Sequence, residues 1–356
     1  MNKVFRVIWS EAQGAWVAVS ETTKSHSKRS RKAALALALA AGGLMGVTGY
    51  ASATTTGEVG TGSIAIGPKD DGACSAKTDA KGAKSISIGC ETGSAATGDN
   101  QTNLGYQAGT GSKGDFNTAL GTNAGEAVTG NANTAVGRES GKHVTGYSNT
   151  AVGDNAGGTV DGSSNAAVGH NAGSSVKGSN NVSFGSNAGG SIEGSQNVAV
   201  GLTAGKGVKG NDNAAFGSTA GESVEGHNNT GFGRAAGKGV KGNSNTSLGN
   251  GAGMYQSGNG NLSAGLSAGQ STYGDHNIML GNKASTVGSK ETNPISRTVV
   301  IGSEAKAHFD DTVALGTEAT AKHKNTVALG SKAEAEHKNS VALGSQSQTR
   351  AAESVT

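Results

Sequence analysis

Two histidines lie fourteen residues apart in near-identical surroundings, His323 in KHKN and His337 in EHKN. A repeat of that length would stack the two imidazoles, and stacked imidazoles are potential metal ligands. The neighbouring side chains of Lys322, Lys324 and Lys338 disfavour a cation at this place. We therefore interpret the pair as solvated surface histidines and predict no metal site.

Three aspartates share one register, Asp99, Asp115 and Asp275, at multiples of sixteen residues. Calcium-binding solenoids need an acid in every repeat, whereas Asn, Ser, Tyr or His fill the other positions of this column. No Ser–His–Asp arrangement stands out, and the GxGxxG-like glycine patterns precede no helix, so they do not indicate phosphate-binding loops. The sequence predicts no catalytic residue and no cofactor, and therefore no enzyme.

The first 53 residues differ in composition from the remainder of the 356-residue chain. The basic cluster SKRSRK precedes an apolar run that ends at Ala51-Ser52-Ala53, a small-residue cleavage site before Thr54. This is the pattern of a secretory signal, too short and too rich in Ala and Gly to favour a permanent membrane span. Residues 1–53 contain seven Lys and Arg but two Asp and Glu. Without them the net charge changes from +3 to about −2, so nucleic-acid binding has no support.

The two cysteines, Cys74 and Cys90, both follow the predicted cleavage site. After export they enter an oxidising compartment, where a disulfide closing this short loop is favoured over a metal site or a reactive thiol.

The chain repeats itself with a step of sixteen residues. The repeat rules out collagen, in which glycine takes every third position, and a disordered linker has no reason to keep a register. One column consists of asparagines without a slip: Asn117, Asn133, Asn149, Asn165, Asn181, Asn197, Asn213, Asn229, Asn245, Asn261 and Asn277. Two apolar columns keep the same step, one three residues after each asparagine and one from Val128 to Val240.

From Arg297 the step shortens to fourteen, in RTVVIG, DTVALG, NTVALG and NSVALG. The only prolines, Pro68 and Pro294, fall where the count breaks. Since proline cannot donate to a strand ladder, such breaks are where it is tolerated.

Short β-branched segments between glycine corners predict an all-β fold, the stacked coils of a β-solenoid. About seventeen coils would form a rod on the order of 80 Å long. The asparagines would then form a ladder of stacked amides, or occupy corners in the left-handed conformation. A single coil has too few apolar side chains to fold alone, so we also expect burial against identical chains.

Charged positions agree with stacking, because one column alternates in sign. It contains Asp161, Lys177, Glu193, Lys209, Glu225 and Lys241. A second column contains Glu126 and Lys142, then Lys206, Glu222 and Lys238. Opposite charges attract when stacked and like charges repel; duplication of a two-coil unit would also produce the alternation.

The segment NTVALGSKAEAEHKNSVALGSQSQ resembles the fourteen-residue head repeats of trimeric autotransporter adhesins with YadA-type heads. The units NTAVGxxAGxxVxG resemble the longer head variants of that family, and MNKVFRVIWSEAQGAWVAVSE resembles its extended signal peptide region. The resemblance implies a left-handed parallel β-roll, a homotrimer, and a virulence-associated head displayed at the bacterial cell surface that binds host matrix proteins or host cells.

The domain boundaries expected from these patterns are an extended signal peptide at 1–53, with 1–21 as its extended region and 22–53 as the signal peptide proper. An N-terminal cap of irregular coils follows at 54–97, sixteen-residue repeats at 98–288, and fourteen-residue repeats at 289–344. Residues 345–356 would begin a neck or be a truncated end. Neither heptads nor amphipathic strands follow Gly344. Attachment to the outer membrane is thus expected to need an anchor absent from this chain, and the product would be secreted if the chain ends at residue 356.

The sequence alone predicts an adhesive head and does not identify its receptor-binding residues or its receptor. The alternative is a stiff spacer rod that carries another adhesive tip. An ice-binding solenoid is disfavoured because the threonine column after the asparagines is interrupted at Ala166, Val182, Val198, Ala214 and Leu262.

Overall fold

The computed structural model describes residues 5–10, 15–20, 59–67 and 78–350. The chain divides into two compact units, residues 1–51 and 52–356. In the first unit, β1 (Phe5–Ser10) pairs antiparallel with β2 (Ala15–Ser20). Within the described ranges, no helix has the length and apolarity needed to cross a membrane.

In the described part of the second unit, eighteen three-residue strands form one long parallel sheet. In chain order these are β3 (Ile64–Ile66), β4 (Ile86–Ile88), β5 (Thr102–Leu104), β6 (Thr118–Leu120), β7 (Thr134–Val136), β9 (Thr150–Val152), β11 (Ala166–Val168), β13 (Val182–Phe184), β15 (Val198–Val200), β16 (Ala214–Phe216), β17 (Thr230–Phe232), β18 (Thr246–Leu248), β19 (Leu262–Ala264), β20 (Ile278–Leu280), β22 (Val299–Ile301), β24 (Val313–Leu315), β26 (Val327–Leu329) and β28 (Val341–Leu343).

Two shorter parallel sheets of two-residue strands lie on another side of the coils. The first contains β8 (Val144–Thr145), β10 (Val160–Asp161), β12 (Val176–Lys177) and β14 (Ile192–Glu193). The second contains β21 (Ser285–Thr286), β23 (Lys306–Ala307), β25 (Thr320–Ala321) and β27 (Glu334–Ala335). Single bridges such as Glu193 with Lys209 and Lys209 with Glu225 continue the first of these sheets along the coils.

Strand pairing follows the repeat count of the sequence. Thr118 of β6 pairs with Thr134 of β7, sixteen residues on, and Val313 of β24 pairs with Val327 of β26, fourteen residues on. The prediction of an all-β parallel solenoid is confirmed: every pair in the long sheet joins one coil to the next. A wider coil of 21 residues, from Ile278 of β20 to Val299 of β22, accommodates Pro294 on an exposed loop.

The interior is narrow and consists mainly of small side chains. In each three-residue strand the middle residue points inward, as Ala119 and Ala135 do, while its two neighbours point outward. Of the two apolar columns found in the sequence, only the one from Val128 to Val240 is buried, at 1–3 % exposure. The column three residues after each asparagine faces outward, because side chains alternate along a strand and the middle position already faces in.

The asparagine column forms a continuous ladder inside the coils. The Oδ1 atom of Asn133 accepts hydrogen bonds from the backbone N–H and the Nδ2 of Asn149, both at 3.0 Å. The Nδ2 of Asn133 donates to Oδ1 of Asn117 at 3.2 Å and to the carbonyl of Gly146 at 2.9 Å. Every donor and acceptor of the buried amide is therefore used, as a polar group away from water requires.

The asparagine ladder ends where the fourteen-residue coils begin. Thr298 takes the next position and donates from its hydroxyl to Oδ1 of Asn277 at 2.8 Å. Thr312 and Thr326 follow in the same column and are also fully buried, but their hydroxyls donate to the carbonyls of Phe309 and His323 in their own coils. A shorter side chain thus replaces the amide where each coil contains two residues fewer.

Glycines stand where neighbouring coils approach most closely. Gly169 has a φ of +128°, and a Cβ placed on it would lie 2.7 Å from the carbonyl oxygen of Gly185 in the next coil. Both the backbone angle and the close approach require glycine at this corner. The corner at Thr219 is less demanding, since its φ of +57° is the left-handed conformation also adopted by Ala235 one coil later.

Replacing Asn181 by alanine is expected to destabilise the coils by about 3 kcal/mol, because it leaves the buried donors of Asn197 and the carbonyl of Gly194 without partners. Thermal and denaturant unfolding measure the change. The neighbouring Asn180 is exposed, so Asn180→Ala is the control and is expected to cost less than about 1 kcal/mol. Equal losses for the two variants would contradict a structural role of the ladder.

Gly169→Ala is expected to cost about 3 kcal/mol or more, because the methyl group meets the carbonyl of the next coil and the backbone angle is unfavourable for alanine. The matched control is Thr219→Ala, at a corner whose column already contains an alanine, with an expected change within about 0.5 kcal/mol. Unfolding midpoints that shift equally for both would show that the close approach does not limit stability.

Candidate binding surface

The outer face of the long sheet presents a stripe of apolar side chains, formed by the third residue of every strand and by the first residue where that residue is apolar. We call this the apolar stripe. Phe184 and Phe232 are 56 % and 60 % exposed, and the rings of Phe216 and Phe232 lie 5.9 Å apart. Exposed members with at least a third of their surface open are Ile64, Ile66, Ile86, Leu104, Leu120, Val182, Phe184, Phe232, Leu248, Ile278, Leu315, Leu329, Val341 and Leu343. A continuous apolar surface of this kind marks an interaction site.

Stacking brings the members of each charged column together. In the column that begins at Asp161, Lys177 Nζ lies 4.0 Å from Glu193 Oε1, and Lys241 Nζ lies 3.9 Å from Glu225 Oε2. All six side chains of this column are exposed. Exposed pairs at such distances contribute little to stability individually.

The second charged column makes closer pairs. Lys142 Nζ lies 2.9 Å from Glu126 Oε2, and Lys238 Nζ lies 2.8 Å from Glu222 Oε2. The hydrogen bond that Lys238 donates to Glu222 raises the pKa of Lys238. The predicted attraction between stacked opposite charges is thus realised geometrically in both columns.

Ion pairs in the fourteen-residue coils shift several pKa values. A two-pronged contact joins Arg297 to Asp311, with Nε–Oδ1 at 2.6 Å and Nη2–Oδ2 at 3.0 Å. It raises the pKa of the guanidinium and lowers the pKa of the carboxyl group. The hydrogen bond between Lys322 and Glu336 acts in the same two directions on the pKa of each partner. Partial burial, with the positive charge of Lys322 nearby, lowers the pKa of His308.

The three aspartates that share one column accept backbone hydrogen bonds from the neighbouring coil, a role that was not predicted from the sequence. The backbone N–H of Asp99 donates to Oδ1 of Asp115 at 2.8 Å, and that of Asp115 donates to Oδ1 of Asn131 at 2.9 Å. The same bond recurs along the column, with these acceptor residues: Asp99, Asp115, Asn131, Ser163, Ser179, Ser195, Asn211, His227, Asn243, Asn259, Asp275, Ser296 and Asp310.

This outer ladder runs in the opposite direction to the asparagine ladder. In the outer ladder the side chain accepts from the preceding coil, whereas each ladder asparagine accepts from the following one. A signal for it was visible in the sequence: except at Tyr147, each position carries an acceptor atom close to Cβ. These side chains position the backbone.

His323 and His337 occupy equivalent positions of successive fourteen-residue coils, where His323 is exposed and His337 is half-buried. The ring of His323 stacks on that of Phe309, with centroids 5.7 Å apart and planes 6° from parallel. Among the residues that the structure describes, no group of three or more His, Cys, Asp or Glu side chains is arranged to hold a metal ion.

Two predictions fall partly or wholly outside the described residues. Cys90 is described and is disulfide-bonded, whereas Cys74 lies outside the described ranges, so the pairing of these two cysteines stays a prediction. Ala53 and Thr54 of the expected cleavage site also lie outside them.

Two slender voids follow the axis of the coils, between the asparagine ladder and the buried valine column. Their volumes are about 20 Å³ and 10 Å³, which is room for one water molecule each. Neither void has room for a larger ligand.

Family models match both ends of the chain. The extended signal peptide of the type V secretion system matches residues 1–49. The YadA head domain repeat matches twice, at residues 296–319 and 321–347.

One curated relative shares a short segment with the chain. The autotransporter adhesin NhhA from Neisseria meningitidis serogroup B (strain ATCC BAA-335 / MC58) is 59 % identical over 29 residues, which is 8 % of this chain and 5 % of the relative. The match thus spans a small part of the relative's length. The leader match and this relative support export and a location at the bacterial cell surface or outer membrane. The extended signal peptide of the type V secretion system, the YadA head repeats within the solenoid and the segment shared with NhhA together support a trimeric autotransporter adhesin.

Proposed function

We propose that the chain is the head of a cell-surface adhesin whose repeated outer face binds host extracellular matrix or host cells. The observation that carries this proposal is the outer surface away from the apolar stripe. Successive coils present exposed positions one rung apart there, as at Lys113, Thr129 and Thr145. Many weak equivalent contacts along a rod give avidity without a deep pocket.

The apolar stripe supports the proposal that the head is a homotrimer. Its side chains are aligned along the whole sheet, and a soluble protein rarely leaves such an area in contact with water. The charged columns are unsuited to an interface between parallel, in-register copies, because like charges would face one another. Three identical stripes packed together would bury the apolar surface and leave the charged columns outside.

A second candidate function is a spacer rod that holds another adhesive tip away from the cell. The continuity of the asparagine ladder from Asn117 to Asn277 favours it, since unbroken vertical hydrogen bonds stiffen the coils. The two functions differ in what a shorter rod does to binding.

Deleting residues 197–228 removes two complete coils and keeps both the ladder and the charge alternation in register. If the repeated face binds, apparent affinity for immobilised matrix protein falls by about 3- to 10-fold, because fewer contacts act together. Surface plasmon resonance with collagen, fibronectin and laminin measures this for residues 54–356. Deleting residues 133–164 instead is the matched control and is expected to weaken binding similarly. A spacer would bind unchanged after either deletion.

Replacing Phe184 and Phe232 together by glutamate is expected to convert the trimer into monomers, because buried carboxylates in the apolar stripe are strongly unfavourable. Light scattering after size-exclusion chromatography measures the mass, which would fall threefold. Tyr147 is 63 % exposed and lies outside the stripe, so Tyr147→Glu should leave the mass unchanged. A wild-type mass equal to that of one chain would exclude the homotrimer.

A further inference from the structure

One outer surface of the solenoid alternates in charge from coil to coil. We call it the charged face; it comprises the exposed column Asp161, Lys177, Glu193, Lys209, Glu225 and Lys241, with Lys206, Glu222 and Lys238 three residues earlier in the last three of these coils. The two columns agree in sign within each coil. Lys206 accompanies Lys209, and Glu222 accompanies Glu225. The result is a series of transverse bands, each of a single sign and about 4.8 Å from the next.

The ion pairs within the chain leave the charged groups of this face accessible. The contacts of Lys177 with Glu193 and of Lys241 with Glu225 are 4.0 and 3.9 Å long, and these four side chains are between 54 % and 73 % exposed. Their charged groups are thus open to a further partner on the outside.

The alternating bands determine the orientation in which a second copy of the chain can bind to this face with opposite charges in contact. Two parallel copies in the same register would place like signs together at every level. If the second copy is reversed, with a two-fold axis between two adjacent coils, each band meets a band of opposite sign, because adjacent coils always differ in sign. With the axis between the coils of Lys209 and Glu225, Lys209 of one copy faces Glu225 of the other, and Glu193 faces Lys241.

We propose that the charged face binds a second copy of this chain in the antiparallel orientation, about the two-fold axis between the coils of Lys209 and Glu225. Such a contact uses the same patch on both copies and closes on itself, whereas a parallel contact staggered by one coil would continue as an open array. This choice places the doubly charged bands at the centre of the interface, where four lysines and four glutamates meet.

The contact adds a function beyond host binding, namely adhesion between heads. Rods that project from one surface lie parallel to each other, so an antiparallel contact joins rods that project from two facing surfaces. The proposal does not depend on a host receptor, nor on the apolar stripe, which belongs to the other, longer sheet. It predicts pairing of whichever unit the stripe forms.

Sedimentation of residues 54–356 at two salt concentrations tests the association. Exposed charges are screened over about 10 Å at 0.1 M salt and about 3 Å at 1 M. At low ionic strength we expect at least twice the mass found at about 1 M NaCl. A monomer presents the charged face once and stops at a pair, whereas a trimer presents it three times and continues to larger assemblies. The same mass in both conditions would overturn the proposal.

Two variants separate the alternation from the mere presence of charge. In the neutral variant, the five lysines and three glutamates from Lys177 to Lys241 in the charged face become glutamine, and the mass doubling is expected to disappear. In the inverted variant, the same lysines become glutamate and the same glutamates become lysine, which keeps the alternation over residues 177–241 and is expected to keep the doubling. Circular dichroism confirms that both retain the fold. Doubling in the neutral variant, or its loss in a folded inverted variant, would contradict the proposed contact.

Cross-linking of single cysteines tests the orientation. In the antiparallel pair the two copies of residue 209 are one rung apart, about 5 Å along the axis, whereas the two copies of residue 161 are seven rungs apart, about 34 Å. A linker shorter than about 10 Å spans one rung but not seven. Lys209→Cys is therefore expected to give a covalent dimer, and Asp161→Cys is expected to give none. A parallel staggered pair would cross-link through both and would overturn the antiparallel contact. The unaltered chain, with its two cysteines, is the control.

Discussion

Vertical hydrogen bonding between coils is the constraint on which the rest of the structure depends. Each coil contains too few apolar side chains to fold alone, so its polar backbone and its buried amides have to find partners above and below. The asparagine ladder meets that requirement with four hydrogen bonds per side chain, as at Asn133. Any residue that breaks the vertical alignment therefore leaves buried polar groups unsatisfied on two coils at once.

The two ladders bracket one corner of the coil from opposite sides. Inside, Asn149 donates its backbone N–H to the coil before it. Outside, Ser163 donates its backbone N–H to the hydroxyl of Ser179 in the coil after it. Together they hold the corner to both neighbours, which explains why small polar residues with acceptors near Cβ recur there. Close stacking also explains the glycines, because a residue without a Cβ allows one corner to approach the carbonyl of the next.

The solenoid also separates its surfaces by chemistry. The long sheet turns an apolar stripe outward, and another side of the same coils carries the charged columns. The first is suited to close packing between parallel identical chains, and the second opposes it through like charges in register.

The sequence by itself determined the coil. The unbroken step of sixteen residues, its shortening to fourteen and the placing of Pro294 were enough to predict a parallel solenoid, because stacking makes every column of residues a column in space. The direction in which each column faces was decided by the tertiary structure. Val128 and Leu120 belong to equally regular apolar columns, yet Val128 is buried and Leu120 is 42 % exposed. Likewise, the sequence spoke against a calcium site at Asp99 and Asp115 but did not reveal their role, and the fold places each beside a backbone N–H of the preceding coil. Periodicity fixes which residues lie above one another; which side of the backbone they occupy depends on the strand alternation and corner angles of the folded chain.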